Sequence, residues 1–473
     1  MRMSSRSLPL ALVAGLLVLV LCPVLGAGED WPKYRRDLAN TGHSTEEGID
    51  SSNVSTLKEK WAFDTGGQIT ASPAVATVGG VSTVFVGNWS GVFSAINAVT
   101  GKLIWSFAIA PTGCAVKDCR IASSPAVANG VVYFGAADAT LYALNAATGH
   151  LVWKHTLADS AAGYEIWSSP AVDAGGTIYV GLASHGDHPC VIGHVLALQA
   201  SNGAIKWDFT TIDQATCPAT IPPTPCVGAG VWSSPAVDEA AGVVYVGTGN
   251  PGSTCTPSTP NAAKWPDSIL ALRASDGTLL SFFQAIGNDQ HDLDFGASPV
   301  LYHASTSSAC AAVSSAACWV SEPSKDAKLY TLHCGLTGSP TVTQLDSLTI
   351  ASPAVATDLS AAAVCTPDAP VAPTVATLFS ASSGGKLSSI DPQDAIVNWT
   401  AAIGGSYSAP AVIEDLVFVG STDDKLYGIT RAGSTVFTFL TGGAIDSGPA
   451  ISNGRIYFGS TDGKVYALSP NGG

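Results

Sequence analysis

A proline recurs eight times along this chain, each time at the head of the same phrase, and that recurrence limits the fold more than any other feature. The anchors are Pro73, Pro125, Pro170, Pro235, Pro299, Pro353, Pro410 and Pro449, on average about 54 residues apart, close to the roughly 40–50-residue periods of propeller repeats. A Ser, Gly or Ala precedes each anchor, an apolar run follows it, and a second run of the LYAL type answers: VFSAI, LYALN, VLALQ, ILALR, LYTLH, LSSID, LYGIT and VYALS. A phrase of this length holds about four short strands, the size of one blade. A lone blade cannot bury both of its faces, so copies must stack, and eight of them close a ring.

The expected fold is therefore all-β: an eight-bladed β-propeller of four-stranded antiparallel blades. The last copy stops at VYALSPNGG without a fourth strand, while LKEKWAF stands unpaired ahead of the first anchor. The N-terminal strand is expected to complete the last blade, leaving no free edge. Trp105, Trp153 and Trp207 close the phrases TGKLIW, TGHLVW and NGAIKW and are expected to pack between blades. With 49 Gly and 28 Pro and only 12% charged residues, the composition suits short strands joined by tight turns.

Residues 1–27 read as a secretory signal peptide, with Arg2 and Arg6 ahead of an apolar run and small residues at Gly26 and Ala27. Residues 28–57 form an N-terminal extension and residues 58–473 a single propeller. The run is too short for a membrane span, so the mature chain is expected to be secreted or periplasmic. A net charge of −15 argues against nucleic acid, which needs a basic stripe. Of 11 cysteines, Cys22 leaves with the signal. Cys114/Cys119, Cys217/Cys226 and Cys310/Cys318 are expected to form local disulfides, and Cys190, Cys255, Cys334 and Cys365 can pair in three ways. There is no CxxCH, hence no attached c-type haem.

Chemistry belongs at the strand ends facing the central funnel. Three residues before each anchor stand Thr70, Ala122, Trp167, Trp232, Gly296, Ile350, Tyr407 and Asp446. Two Trp and a Tyr among them suit a planar ligand. The stretch from Trp232 to Asp294 adds an Asn and two Asp residues at strand ends or in loops. If HDLDF is a strand, Asp292 and Asp294 point to one face.

The repeats resemble those of pyrroloquinoline quinone (PQQ) dehydrogenases, and DWPKYRRDLANTGHS with VWSSPAVD, VYVGTGN and NDQHDLDFGASP resembles the polyvinyl alcohol dehydrogenase-like branch. The resemblance covers essentially the whole mature chain. It implies oxidation of a small or polymeric alcohol by hydride transfer to metal-bound PQQ, with Ca²⁺ or a lanthanide as the metal. A separate acceptor such as a cytochrome c would take the electrons. By the same resemblance, Trp232 stacks on the quinone and Arg120 meets its carboxylate, while Trp167, expected against the cofactor too, stands where the family often keeps a small hydroxyl residue. Lys325 faces the quinone oxygens, and Asp292 is the catalytic base. Asn250, Asp292 and Asp294 supply metal oxygens. The Cys114 and Cys119 pair lies where the family has adjacent cysteines.

The family's metal-binding Glu is missing from SHGDHPCVIGH. Asp187 can replace it, or His185, Asp187, His188 and His194 can form a transition-metal site. The missing Glu also keeps a second reading open, a non-catalytic propeller that binds proteins or ligands and resembles outer-membrane assembly propellers.

Overall fold

A computed structural model describes residues 29–46, 48–110, 119–184, 191–213, 227–251, 264–287, 289, 292–303, 318–345, 377–392, 394–413 and 415–470. Their strands form eight antiparallel sheets arranged as the blades of a propeller. Blade 1 shows the pattern: Ala74–Val78, Val81–Gly87, Val92–Asn97 and Leu103–Ala108, each paired with the next. The innermost strands of blades 2, 3, 4, 5, 7 and 8 are Ala126–Ala128, Ala171–Val172, Ala236–Asp238, Val300–His303, Ala411–Ile413 and Ala450–Ser452. Blade 6 is described by Leu378–Ala381, Lys386–Asp391 and Ile396–Ala402; the stretch around Pro353 lies outside the described residues. Blade 3 carries an additional short strand, Tyr164–Glu165, against Thr177–Ser184.

Burial follows position in the blade. Second strands such as Val243–Gly247 are buried along their whole length, as strands covered on both faces must be, and read as continuous apolar runs. The outermost Leu151–Thr156 alternates between exposed and half-buried positions. The second strands of blades 1, 2, 4, 7 and 8 end in a glycine that close approach requires. A Cβ on Gly87 would lie 2.2 Å from Ile121 of the next blade, and one on Gly135 would lie 2.2 Å from Ile166. The outer Trp residues reach across the same seams. Trp105, Trp153 and Trp207 donate from Nε1 to the carbonyls of Ala146, Ala200 and Ala274 at 2.8–3.0 Å, as the sequence led us to expect.

The serine before the anchor proline links neighbouring blades. The backbone N–H of Ser72 donates to Ser124 Oγ, that of Ser124 to Ser169 Oγ, that of Ser169 to Ser234 Oγ, and that of Ser234 to Ser298 Oγ, all at 2.8–3.0 Å. Gly448 N–H donates to Ser72 Oγ at 2.8 Å, which carries the chain of bonds from blade 8 back to blade 1.

The N-terminal extension laces the opposite face of the disc. Trp31 and Val75 exchange backbone hydrogen bonds, and the carbonyls of Pro32, Leu38, Ala39 and Gly42 accept from Val127, Val237, Leu301 and Val412 in turn. The strap thus visits blades 1, 2, 4, 5 and 7 before the chain enters Lys58–Asp64. That strand pairs with Lys464–Ser469 and completes blade 8, the closure the unpaired LKEKWAF predicts.

The expected Cys310/Cys318 disulfide is not formed: Cys318 pairs with Cys334. The hairpin of Cys318–Ser324 with Lys328–His333 sets their Cα atoms 5.2 Å apart, so register across strands decided the pairing rather than nearness in sequence. Cys119 is disulfide-bonded; Cys114, Cys190, Cys217, Cys226, Cys255 and Cys365 lie outside the described residues.

Ring closure gives a direct test. Trp61 on the closing strand is buried and donates to the Ala98 carbonyl of blade 1 at 3.0 Å. Trp61→Ala should cost about 3–5 kcal/mol in urea unfolding, and a loss below ~1 kcal/mol would show that this strand does not close the ring.

Candidate active site

Because paired strands run antiparallel, the start of each innermost strand and the end of its partner share one face of the disc. Trp167 and Trp232 lie just before the innermost strands of blades 3 and 4, and Asp292 and Asp294 lead into that of blade 5. Asn250 and Lys325 follow the second strands Val243–Gly247 and Cys318–Ser324. The topology therefore delivers all six to the face opposite the strap.

Lys325 is the hub of one arm. Its Nζ donates to Asp292 Oδ1 and Oδ2 at 3.1 and 3.2 Å and to Asp294 Oδ2 at 2.9 Å. Asp294 Oδ1 accepts the Asn250 backbone N–H, which ties blade 4 to blade 5. The two carboxylates converge as expected, but not through a pleat. Residues 292–297 are not a strand, and Asp292 turns through a left-handed φ of 61°, a conformation Asp tolerates better than most residues.

The second arm is aromatic. The rings of Trp167 and Trp232 lie 6.3 Å apart, tilted by 56°. The Arg120 guanidinium carbon stands 4.2 Å from the Trp167 ring centre and 5.2 Å from that of Trp89, within cation–π range. Arg120 Nη2 donates to both oxygens of the buried Glu165 at 2.9 Å. The guanidinium charge is thus answered from within the protein, whereas the sequence assigned it to a cofactor carboxylate. Gly249 joins the two arms: a Cβ there would lie 2.8 Å from Trp232 Nε1 and 3.4 Å from Asp294 Oδ1.

Three neighbours escaped the sequence reading. Glu165 is an acidic residue inside an apolar approach to an anchor, and Trp89 sits in the turn after a second strand, bonded from Nε1 to Thr70 Oγ1 at 2.9 Å. Asp267 opens the SILAL strand and is fully buried. Asp187, His185 and His188 lie outside the described residues. His194 does not join a metal cluster among the described residues: its Nδ1 lies 2.8 Å from Asp208 Oδ1 on the neighbouring strand.

Similarity to known proteins bears on family and fold. A family model described as "Glucose/ethanol/alcohol dehydrogenase, beta-propeller domain" matches residues 31–374. The chain belongs to this PQQ-repeat dehydrogenase family. A second model, of outer membrane protein assembly factor BamB, matches residues 344–473. Quinoprotein alcohol dehydrogenase PedH of Pseudomonas putida is 29% identical over 272 residues, 52% of this chain and 44% of that protein. Polyvinylalcohol dehydrogenase of Sphingopyxis sp. is 26% identical over 294 residues, 56% of this chain and 41% of that protein. The chain thus spans less than half the length of these relatives. Among solved structures, europium-containing methanol dehydrogenase superposes with a TM-score of 0.71 at 18% identity, covering 93% of this chain and 98% of that one. BamB from Moraxella catarrhalis gives 0.58 at 17% identity, covering 87% and 99%. These likenesses establish the fold.

PQQ with Ca²⁺ or a lanthanide is the cofactor set that membership in the PQQ-repeat family supports, and the residues present fit it. Nε1 of Trp167 and Nε1 of Trp232 are buried without a hydrogen-bond partner, two donors beside flat rings that suit an oxygen-rich planar quinone. Asp292 and Asp294 meet at Lys325, and Asn250 lies beside them through its backbone bond to Asp294. Their oxygens are the donors a hard cation prefers, although among the described residues no three His, Cys, Asp or Glu side chains are close enough to hold a metal by themselves.

Asp267 reports on the charge of this site. Burial first, then the carboxylates of Asp294, Asp289 and Asp292, raise its pKa well above the usual 3.8. A carboxyl that is harder to ionise when folded stabilises the protein fully below about pH 4, and the contribution is lost as pH rises through the folded value. Asp267→Asn should therefore flatten the decline of Tm as pH rises above about 4; equal slopes in the two proteins would contradict this assignment.

Proposed function

We propose that this chain is an exported PQQ-dependent alcohol dehydrogenase in which Asp292 is the general base. The observation that carries the reading is the Asp292–Lys325–Asp294 cluster, set beside the Trp167–Trp232 pair at one mouth of the channel. Bound PQQ, polarised by Ca²⁺ or a lanthanide, supplies the hydride acceptor. The chain's own residues do the rest. Trp232 and Trp167 present flat apolar faces that orient a planar ring. Asp292, half-exposed beside the Lys325 ammonium, accepts the alcohol's hydroxyl proton as the carbon gives up its hydride, leaving a carbonyl product. General-base assistance of this kind contributes about 10²–10⁴-fold. Asp294 is buried and fixes Lys325 from behind, so that positive charge stands ready where negative charge develops. Asn250 and the two Asp residues offer the oxygens for the cation, with Asp187 as a further ligand.

The substrate reading extends to small or polymeric alcohols, as the names of the related alcohol and polyvinylalcohol dehydrogenases suggest. Electrons would pass to a separate acceptor such as a cytochrome c, and the protein would work in the periplasm or outside the cell. No helix among the described residues is long and apolar enough to cross a membrane. A second reading, a binding scaffold, is favoured by the assembly-factor match over residues 344–473.

Dye reduction separates the two. Protein reconstituted with PQQ and Ca²⁺ or a lanthanide should reduce an artificial acceptor when alcohols are added. Asp292→Asn should lower kcat by roughly 10²–10⁴-fold while leaving the fold intact. A wild-type protein inert with every alcohol and both metals would favour the scaffold.

A further inference from the structure

Among the described residues, the buried polar side chains of the strap that bond the blades gather at one seam. At blades 2 and 7 its bonds to the innermost strands run between backbones, through Pro32, Gly42 and Ser44, and at blade 1 the backbone pairing of Trp31 is joined by the Asp30 carboxylate, which accepts from the N–H and Oγ1 of Thr77 at 3.1–3.2 Å. At the seam of blades 4 and 5 it adds three buried polar side chains: Lys33, Arg35 and Asn40, 5%, 2% and 0% exposed. Asn40 Nδ2 donates to the Ser234 carbonyl and to the Pro299 carbonyl, both at 3.1 Å, so one carboxamide spans both blades. Arg35 Nη1 donates to the Ser298 carbonyl at 2.9 Å. Lys33 Nζ donates to Asn40 Oδ1 at 2.6 Å and to the carbonyls of Tyr34 and Asp37 at 2.8 and 2.7 Å, which fixes the carboxamide's orientation.

Ring closure alone does not call for this. Desolvating a lysine, an arginine and an amide is costly unless each is bonded, and an apolar strap would make the same backbone bridges. Arg35 and Asn40 also adopt left-handed φ values of 54° and 57°, sparsely populated for residues with a side chain. The seam also buries Glu322 of blade 5, within electrostatic reach of Arg35, and above the seam lies the candidate site. Ser234 is two residues beyond Trp232, and Ser298 is four beyond Asp294. The carbonyls gripped from below therefore belong to the two segments that carry the stacking indole and the acidic pair.

We propose that Asn40 and Arg35 are positioning residues of the candidate active site, setting from the opposite face of the disc how far the Trp232 segment stands from the Asp292–Asp294 segment. They touch neither substrate nor cofactor. The inference rests on the site assigned above, and it gives the DWPKYRRDLANTGHS motif a part in function as well as in closure.

The test uses the full chain labelled with 5-fluorotryptophan, the Trp232 ¹⁹F resonance being assigned by its absence in Trp232→Phe. Asn40→Asp keeps the size and the tolerance for left-handed backbone but removes both donors; Arg35→Lys keeps the charge and shortens the reach. Each should shift the Trp232 resonance and weaken PQQ binding, followed by fluorescence quenching with Ca²⁺ present, by roughly ten- to a hundredfold. Ser44→Ala is the control, because Ser44 Oγ bonds Glu29 at 2.8 Å on the far side of the strap; it should leave both readouts at wild-type values whatever it does to Tm. If Asn40→Asp fails to fold, Arg35→Lys decides. An unmoved Trp232 resonance in a folded strap variant, or binding losses that merely follow Tm in all three, would overturn the proposal. A resonance that moves in a protein that never binds PQQ would uphold the positioning role and refute the cofactor reading instead.

Discussion

The serine hydroxyl in front of the anchor proline in blades 1 to 5 accepts a backbone N–H of the preceding blade, and the half of the ring that carries the candidate site depends on that contact. Four consecutive bonds of this kind run from Ser72 to Ser298, and Gly448 carries the chain back to Ser72. A buried N–H left unpaired would cost about 1–3 kcal/mol, so each of blades 1 to 5 is held in register by a neighbour. The proline then fixes φ and turns the chain into the innermost strand. Three residues ahead of it, in blades 3 and 4, stand Trp167 and Trp232, whose rings lie 6.3 Å apart. The placement of Trp167 and Trp232 thus follows from the bond that sets blade spacing.

Much of this was legible in the sequence because it repeats. Eight anchors fixed the blade count, the orphan LKEKWAF fixed the closure, and the TGKLIW-type phrases marked the tryptophans that dock on neighbouring blades. Local repetition carries no information about non-repeating partners. The Cys318–Cys334 bond follows hairpin register, which a count of nearby cysteines misses. Glu165 and Asp267 look like ordinary polar residues until the fold buries one against Arg120 and the other behind Asp294. The strap was legible as a motif and not as a belt, since its partners are spread from Val75 to Val412.

The candidate site combines two opposed environments. On one arm a guanidinium is held between Trp89 and Trp167 and neutralised by Glu165. On the other, a single ammonium answers Asp292 and Asp294, and further carboxyls at Asp267 and Asp289 are buried close by. The paired oxygens of Asp292 and Asp294 are of the kind a hard cation prefers, while the aromatic arm suits a flat ligand. Each arm would suit some simpler binder alone, but their junction at Gly249 suits a planar quinone lying beside a hard metal ion.

Calorimetric titration with PQQ in the presence of Ca²⁺ tests that junction most directly. The account predicts saturable binding that Trp232→Ala weakens about tenfold and that chelation of the metal also weakens. No binding heat in the wild type, or an affinity indifferent to both Trp232 and the metal, would contradict it.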